Sequence, residues 1–267
     1  MKKNKRYIGK AFMLFGIIFF YLPIVYVVLF SFNSSKSLTA LKGFSFQWYE
    51  KMFHDSQMMS SLYTTILVAV IATVVSTIAG TLAAVGLSRS RKIVKDLVSQ
   101  INDFPIMNPE IVTAIGLMLF FITFKVERGL FTMILAHIAF CTPYVILSVM
   151  PKIRSLDPNL ADAAMDLGAT PAQALIQVIV PQISPGIFSG ALIAFTMSFD
   201  DFIISYFVTG RGVKNLSIMV YTMSKRVNPS INAVSTLVIA LITIILILIN
   251  VVPIIAERLK KGRNEAV

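Results

Sequence analysis

The chain has 267 residues, 56% hydrophobic and only 14% charged, with 24 Lys and Arg against 13 Asp and Glu and a formal net charge of +11; its mean hydropathy is +0.79. Soluble domains average about 45–50% apolar and about 25% charged residues, so this composition excludes an ordinary soluble enzyme. The cations flank apolar runs and form no solvated basic face. No nucleic acid partner is expected, and the charge pattern reads instead as the positive-inside bias of a membrane protein.

A membrane-crossing helix takes about 20 mostly apolar residues, and six stretches meet that length: 12–32, 62–87, 106–124, 130–150, 186–208 and 233–255. Lys2, Lys3, Lys5, Arg6 and Lys10 precede the first, as in a signal peptide. That run, however, exceeds the apolar core of a signal peptide (about 7–15 residues) and lacks a small-residue cleavage site. It is expected to be retained as a span. With the N-terminus inside, 15 Lys and Arg fall on the cytoplasmic side and 9 on the other, which puts both termini in the cytoplasm.

The second run carries Ala72, Ser76, Gly80 and Ala84 on one face, and the fifth carries Gly186, Gly190, Ala194 and Ser198. Small residues at this period allow close helix approach. The third run opens on Asp103, Pro105, Asn108, Pro109 and Glu110; Glu110 reads either as a stabiliser of a helix N-terminus or as part of an inner cation site. The 125–129 link makes the third and fourth spans a tight hairpin. His137, inside the fourth, reads as an interhelical hydrogen-bonding group, and Cys141, the single cysteine, as packing. Neither His137 nor His54 has a metal-ligand partner at suitable spacing, so no metal site is expected. Lys225, Asn232 and Asn250 carry no assignment.

Between the fourth and fifth runs, residues 151–185 hold two helix-start signals. Asp157-Pro158 is an N-cap followed by proline; a short helix through Leu160, Asp162, Ala163, Ala164, Asp166 and Leu167 is expected to stop at Gly168. Thr170-Pro171 repeats the signal, and a second helix is expected to end at Pro181. On the first, Leu160, Ala164 and Leu167 share one face while Asp162 and Asp166 share another. That surface suits a groove on another protein. A helix lying on the membrane would carry Lys and Arg, which this one lacks.

The spacing Asp162-Ala163-Ala164, three residues, Gly168, nine residues, Val178, one residue, Val180-Pro181 resembles the EAA motif of binding-protein-dependent ABC importer permeases (the MetI-like family). Asp replaces Glu, and Val replaces Ile and Leu, keeping charge and apolar character. Phe32-Asn33-Ser34-Ser35, Trp48-Tyr49, His137 to Pro143, Ser198-Phe199-Asp200-Asp201-Phe202 and Phe207-Val208-Thr209-Gly210 extend the likeness, particularly to permeases of spermidine/putrescine importers. The resemblance implies an all-α polytopic protein of the inner membrane, with six transmembrane helices and a cytoplasmic coupling-helix loop. It divides into an N-terminal helix and outer loop over 1–57, a transport domain over 58–256 and a cytoplasmic tail over 257–267. It further implies a second homologous permease, a cytoplasmic ABC ATPase dimer that uses ATP and Mg, and an extracytoplasmic substrate-binding protein. This chain itself is expected to bind no cofactor.

Asp200 lies about 21 Å into the fifth run if that run is one helix. An acid within hydrocarbon costs about 2.5–3.5 kcal/mol, so two in succession call for a cation to pair with. Phe195, Phe199, Phe202 and Tyr206 would form an aromatic stripe on the same helix, and aromatic faces attract ammonium groups. The expected substrate path therefore comprises Asp200, Asp201, Phe195, Phe199, Phe202, Tyr206 and Glu110. The competing reading makes the aromatics packing and pairs the acids with Arg211. No phosphate-binding loop or catalytic constellation is present, so the chain is not expected to be an enzyme by itself. Two alternatives stand beside the polyamine reading: the same machine with another cargo (a metal ion, thiamine or sulfate), or a secondary transporter acting alone.

Overall fold

A computed structural model describes residues 2–37, 39–210, 212–224, 228–244 and 247. In chain order the helices are α1 (Lys2–Ser31), α2 (Gln47–His54), α3 (Ser56–Ser88), α4 (Lys92–Met107), α5 (Glu110–Thr123), α6 (Leu130–Arg154), α7 (Leu160–Asp166), α8 (Pro171–Asp200), α9 (Ile203–Val208), α10 (Leu216–Ser224) and α11 (Ser230–Ile244). Among the described residues there is no strand, only an isolated bridge between Asn33 and Phe44. Four helices, α1, α3, α6 and α8, are long and apolar enough to cross a membrane, and α4 with α5 adds a fifth only as a pair bent by 107°. The sixth expected run begins in α11 and continues beyond the described residues. The tail at 257–267 lies outside them entirely.

The bend has a local cause. Pro109 disfavours a helical conformation at the residue before it, and Asn108 is extended at ψ 148°. The third expected span, 106–124, thus reduces to α5. Its 14 residues rise about 21 Å, short of the roughly 30 Å of a bilayer core.

The chain forms two compact units, residues 1–59 with 220–267, and residues 60–219. In the first, α1 exposes Phe12, Phe15, Phe19 and Phe20, a face suited to lipid or a neighbouring subunit. The loop after it folds around Asn33, whose side-chain amide donates to the carbonyls of Ser37 (3.0 Å) and Ala40 (2.9 Å) and whose Oδ1 accepts from the Lys42 N–H (3.0 Å). Trp48 on α2 donates its indole N–H to the Asn33 carbonyl at 2.6 Å. This explains locally why Asn33 and Trp48 stand where they do.

In the second unit α6 is the common wall. A methyl built on Gly80 of α3 would lie 2.8 Å from Val145 Cβ; on Gly186 of α8, 2.8 Å from Lys152 Cγ; on Gly190, 3.2 Å from Val145 Cα. The small-residue faces of α3 and α8 therefore press against α6, whose buried Ala136, Cys141, Val145 and Val149 fill the interface.

The loop segment departs from expectation at two points. Asp157 is not the N-cap of α7: the helix starts at Leu160, Asn159 holds the cap position without a side-chain cap bond, and Asp157-Pro158 lie in the turn before it. Pro181 does not end the helix begun at Pro171. The turn over Ala174–Ile179 is a π-turn, in which the Val180 N–H bonds Leu175 O five residues back. A proline inside a helix clashes with the carbonyl four residues before it, and the wider turn just upstream relieves that crowding, so α8 runs on to Asp200.

Gly190→Leu should cost at least about 1–3 kcal/mol by overpacking and lower the thermal unfolding midpoint in detergent. Gly116→Leu, whose added Cβ meets nothing within 4 Å, should not. Equal midpoints for the two variants would refute close packing at α6.

Candidate functional site

The fifth expected span, 186–208, is not one helix. α8 ends at Asp200, Asp201 is extended (φ −59°, ψ 127°), and α9 starts at Ile203. The break corrects two expectations. Asp200 and Asp201 are not related by the turn of a regular helix, and the aromatics do not form one continuous stripe. Phe195 and Phe199 pair on α8 with centroids 5.6 Å apart, and Phe202 and Tyr206 pair at 5.5 Å. Phe199 is buried at 5% exposure, whereas Tyr206 is 49% exposed.

Asp201, 8% exposed, is committed to the fold. Its Oδ1 accepts the Ile204 N–H (3.1 Å) and its Oδ2 the Ser205 N–H (2.7 Å), capping α9. Oδ2 also lies 3.4 Å from His137 Nε2. His137 is held between two hydroxyls, Ser198 on α8 (2.7 Å from Nδ1) and Ser205 on α9 (2.9 Å from Nε2). Asn215 donates to the Asp201 carbonyl and to Ser205 Oγ, both at 2.8 Å. The N–H of Leu216 donates to Thr65 Oγ1 of α3 at 2.7 Å. His137 is thus the interhelical group its position implied.

Sequence reasoning missed Ser205, Asn215 and Thr65. Ser205 carried a faint signal, four residues beyond an acid. Asn215 and Thr65 carried none.

Asp200, by contrast, is exposed at the last residue of α8. The Ser217 hydroxyl donates to its backbone carbonyl at 3.2 Å, leaving the carboxylate outside that contact. Glu110, also exposed, opens α5 and borders a small crevice with Tyr144, Met197 and Ile204, so the entry to α5 lies beside the break. Arg211, Lys225 and Asn250 fall outside the described residues, and so does the pairing of the acids with Arg211.

At the other end of α8, Asp157 Oδ1 accepts the Asn159 N–H at 2.9 Å, and α7 starts at Leu160. Gly168 adopts φ +92°, a conformation glycine favours, and the Ala169 N–H closes back on Ala164 O at 3.1 Å. Thr170 and Gln173 cap α8 reciprocally: the Gln173 N–H donates to Thr170 Oγ1 at 3.3 Å and the Thr170 N–H to Gln173 Oε1 at 2.8 Å. Ala161 is the buried anchor of α7, and Leu160 and Ala164 are half-buried. Asp162, Ala163 and Asp166 are exposed, and Leu167 is 92% exposed.

Residues 76–263 match the family of binding-protein-dependent transport system inner membrane components. The chain belongs to that family. It is 37% identical over 238 residues to the putrescine transport system permease protein PotI of Escherichia coli K12, covering 86% of this chain and 85% of that one. To the spermidine/putrescine transport system permease protein PotC of Haemophilus influenzae it is 32% identical over 239 residues, covering 89% and 93%. In fold it is similar to a bacterial ABC transporter involved in the import of the acidic polysaccharide alginate (TM-score 0.72, 18% identity, 95% of this chain and 97% of that one). A second structure of a bacterial alginate ABC transporter, in complex with an alginate pentasaccharide-bound periplasmic protein, gives a TM-score of 0.66 at 18% identity over 90% and 94%. The all-α permease fold expected from sequence is therefore present, in a multi-pass membrane protein. The family match begins inside α3 and spans the α6 wall, the coupling-type loop and the broken helix.

The two acids are predicted to separate in a stability assay. Asp201→Ala leaves the buried N–H groups of Ile204 and Ser205 without their acceptor and should cost about 1–3 kcal/mol for each group left unpaired. Asp200→Ala, at an exposed position, should stay within about 0.5 kcal/mol. Thermal unfolding of both variants in nanodiscs checks this; a destabilisation of the same size in each would rule out the capping role.

Proposed function

We propose that the chain is the permease subunit of an ATP-driven importer for polyamines, with both termini cytoplasmic. It works with a second homologous permease, a cytoplasmic ABC ATPase dimer and an extracytoplasmic binding protein. ATP and Mg are used by the ATPase, and this chain is non-catalytic. The observation that carries the reading is the exposed carboxylate of Asp200 at a helix break inside an apolar span, in a chain akin to putrescine and spermidine permeases.

In this mechanism the binding protein delivers the polyammonium chain to the mouth opposite the loop. Asp200 pairs with one ammonium group, and the Phe195, Phe199, Phe202 and Tyr206 rings line its way, the buried Phe199 chiefly by backing Phe195. Glu110 offers a second carboxylate farther along. Asp201 acts as a positioning residue, holding the break that turns Asp200 outward. Closure of the ATPases moves α7 through Leu160, Asp162, Ala163, Ala164, Asp166 and Leu167, with Gly168 setting the turn into α8 and Pro181 tolerated within it. The two permeases then alternate between outward and inward access.

Asp200→Asn should lower uptake of labelled putrescine or spermidine in proteoliposomes holding all the partners by about tenfold to a hundredfold, since a charge-assisted contact contributes about 1.5–3 kcal/mol. Expression and ATPase assembly should be unchanged. Wild-type uptake by the variant would remove Asp200 from the path.

Coupling is tested separately. Ala163→Cys or Leu167→Cys should crosslink to the ATPase at high yield, with the buried Cys141 silent. Absence of any crosslink from either position overturns the lever.

A further inference from the structure

A groove of about 500 Å³ opens beneath α7, where α3 and α6 end and α8 begins. Arg89, Lys95 and Arg154 line it. One acid, Asp157, is also present, so the lining carries two net positive charges. Among the described residues none of the three cations forms a salt bridge with a carboxylate. The rest of the lining is largely apolar, with Val85, Leu156 and Ile179 among its side chains. Ala161 and Met165 turn the inner side of α7 onto the same groove, while Asp162, Asp166 and Leu167 face outward.

Three features together select the occupant. The groove sits at the level where apolar spans end, so its neighbour is the bilayer surface. Its lining sets three cations against one acid, so it attracts an anion. Much of the lining is apolar, so a free inorganic anion would leave that surface uncovered, while an amphiphile covers both parts. We propose that the groove binds an anionic membrane phospholipid, with the phosphate-bearing headgroup at Arg89, Lys95 and Arg154 and the upper acyl chain on the apolar part of the lining. The bound lipid then lies under α7 and supports the inner face of the element whose outer face meets the partner. This inference stands apart from the cargo: it concerns the loop end of the chain and holds whatever the importer carries.

The test uses the full chain in phosphatidylcholine nanodiscs doped with spin-labelled phosphatidylglycerol, reading the motionally restricted lipid fraction. Wild type should select phosphatidylglycerol over phosphatidylcholine. Each of Arg89→Gln, Lys95→Gln and Arg154→Gln should lower that selectivity about fivefold, equivalent to about 1 kcal/mol per basic residue near an anionic surface. The charge-keeping set Arg89→Lys, Lys95→Arg and Arg154→Lys should retain it, which separates loss of charge from loss of fold.

Selectivity unchanged in all three Gln variants overturns the proposal. Displacement of the lipid by millimolar glycerol phosphate or inorganic phosphate also overturns it, in favour of a soluble-phosphate site. So does complete displacement on adding the ATPase subunit, which would assign the groove to that protein.

Discussion

A helix that breaks inside a membrane leaves backbone groups stranded, because the hydrocarbon offers no water to satisfy them. The end of α8 and the start of α9 meet that demand with protein groups alone. The Asp201 carboxylate takes the N–H groups of Ile204 and Ser205. Asn215 supplies a donor to the Asp201 carbonyl, and Ser217 one to the Asp200 carbonyl. The Asp201 carboxylate also lies 3.4 Å from His137 Nε2, and that ring is itself fixed from both sides by Ser198 and Ser205. Each of these groups depends on the others. An uncapped break or an unpaired carboxylate would cost several kcal/mol.

The consequence reaches the far end of the same helix. α8 runs 30 residues, about 45 Å, from the Thr170 capping box beside α7 to the exposed Asp200. One continuous helix therefore joins the exposed loop segment at α7 to the exposed acid at the break, the two places that the proposed function assigns to partner and substrate. Its path is guided by glycines that let it press on α6, at Gly186 beside Lys152 and at Gly190 beside Val145. α6 in turn carries His137 toward the break. Between loop and break the molecule offers two stiff, closely apposed helices, and the one irregularity in α8 is the π-turn next to the loop.

The legible parts of the sequence were those with local determinants. The Thr170 cap of α8, the glycine after α7 and the small-residue faces of α3 and α8 are written in residues a few positions apart. The break at Asp200-Asp201 was not legible, because neither glycine nor proline marks it and the run from 186 to 208 keeps its apolar character. Its determinants are Asn215, fourteen residues on, and His137, more than sixty residues back. The spacing of Phe195, Phe199, Phe202 and Tyr206 fits a helix well, and periodicity cannot register an interruption that preserves it. Pro181 misled in the opposite direction: proline is no sure stop in this chain, with Pro143 and Pro151 inside α6, and at Pro181 the turn just upstream widens to accommodate the ring.

Two neighbouring acids in an apolar span invite a single explanation, and the geometry argues for two. A carboxylate has about four lone-pair directions, and Asp201 spends most of its own on two amide N–H groups and the His137 ring. Little of it remains for a mobile cation, and any substrate that drew it away would uncap α9. The chain at position 200 has no such duty. It ends a helix, lies in the open, and owes its direction to the cap formed one residue later. In the proposed mechanism recognition and framework are thus divided between adjacent residues, with Asp201 capping the helix that follows the break and Asp200 left exposed before it.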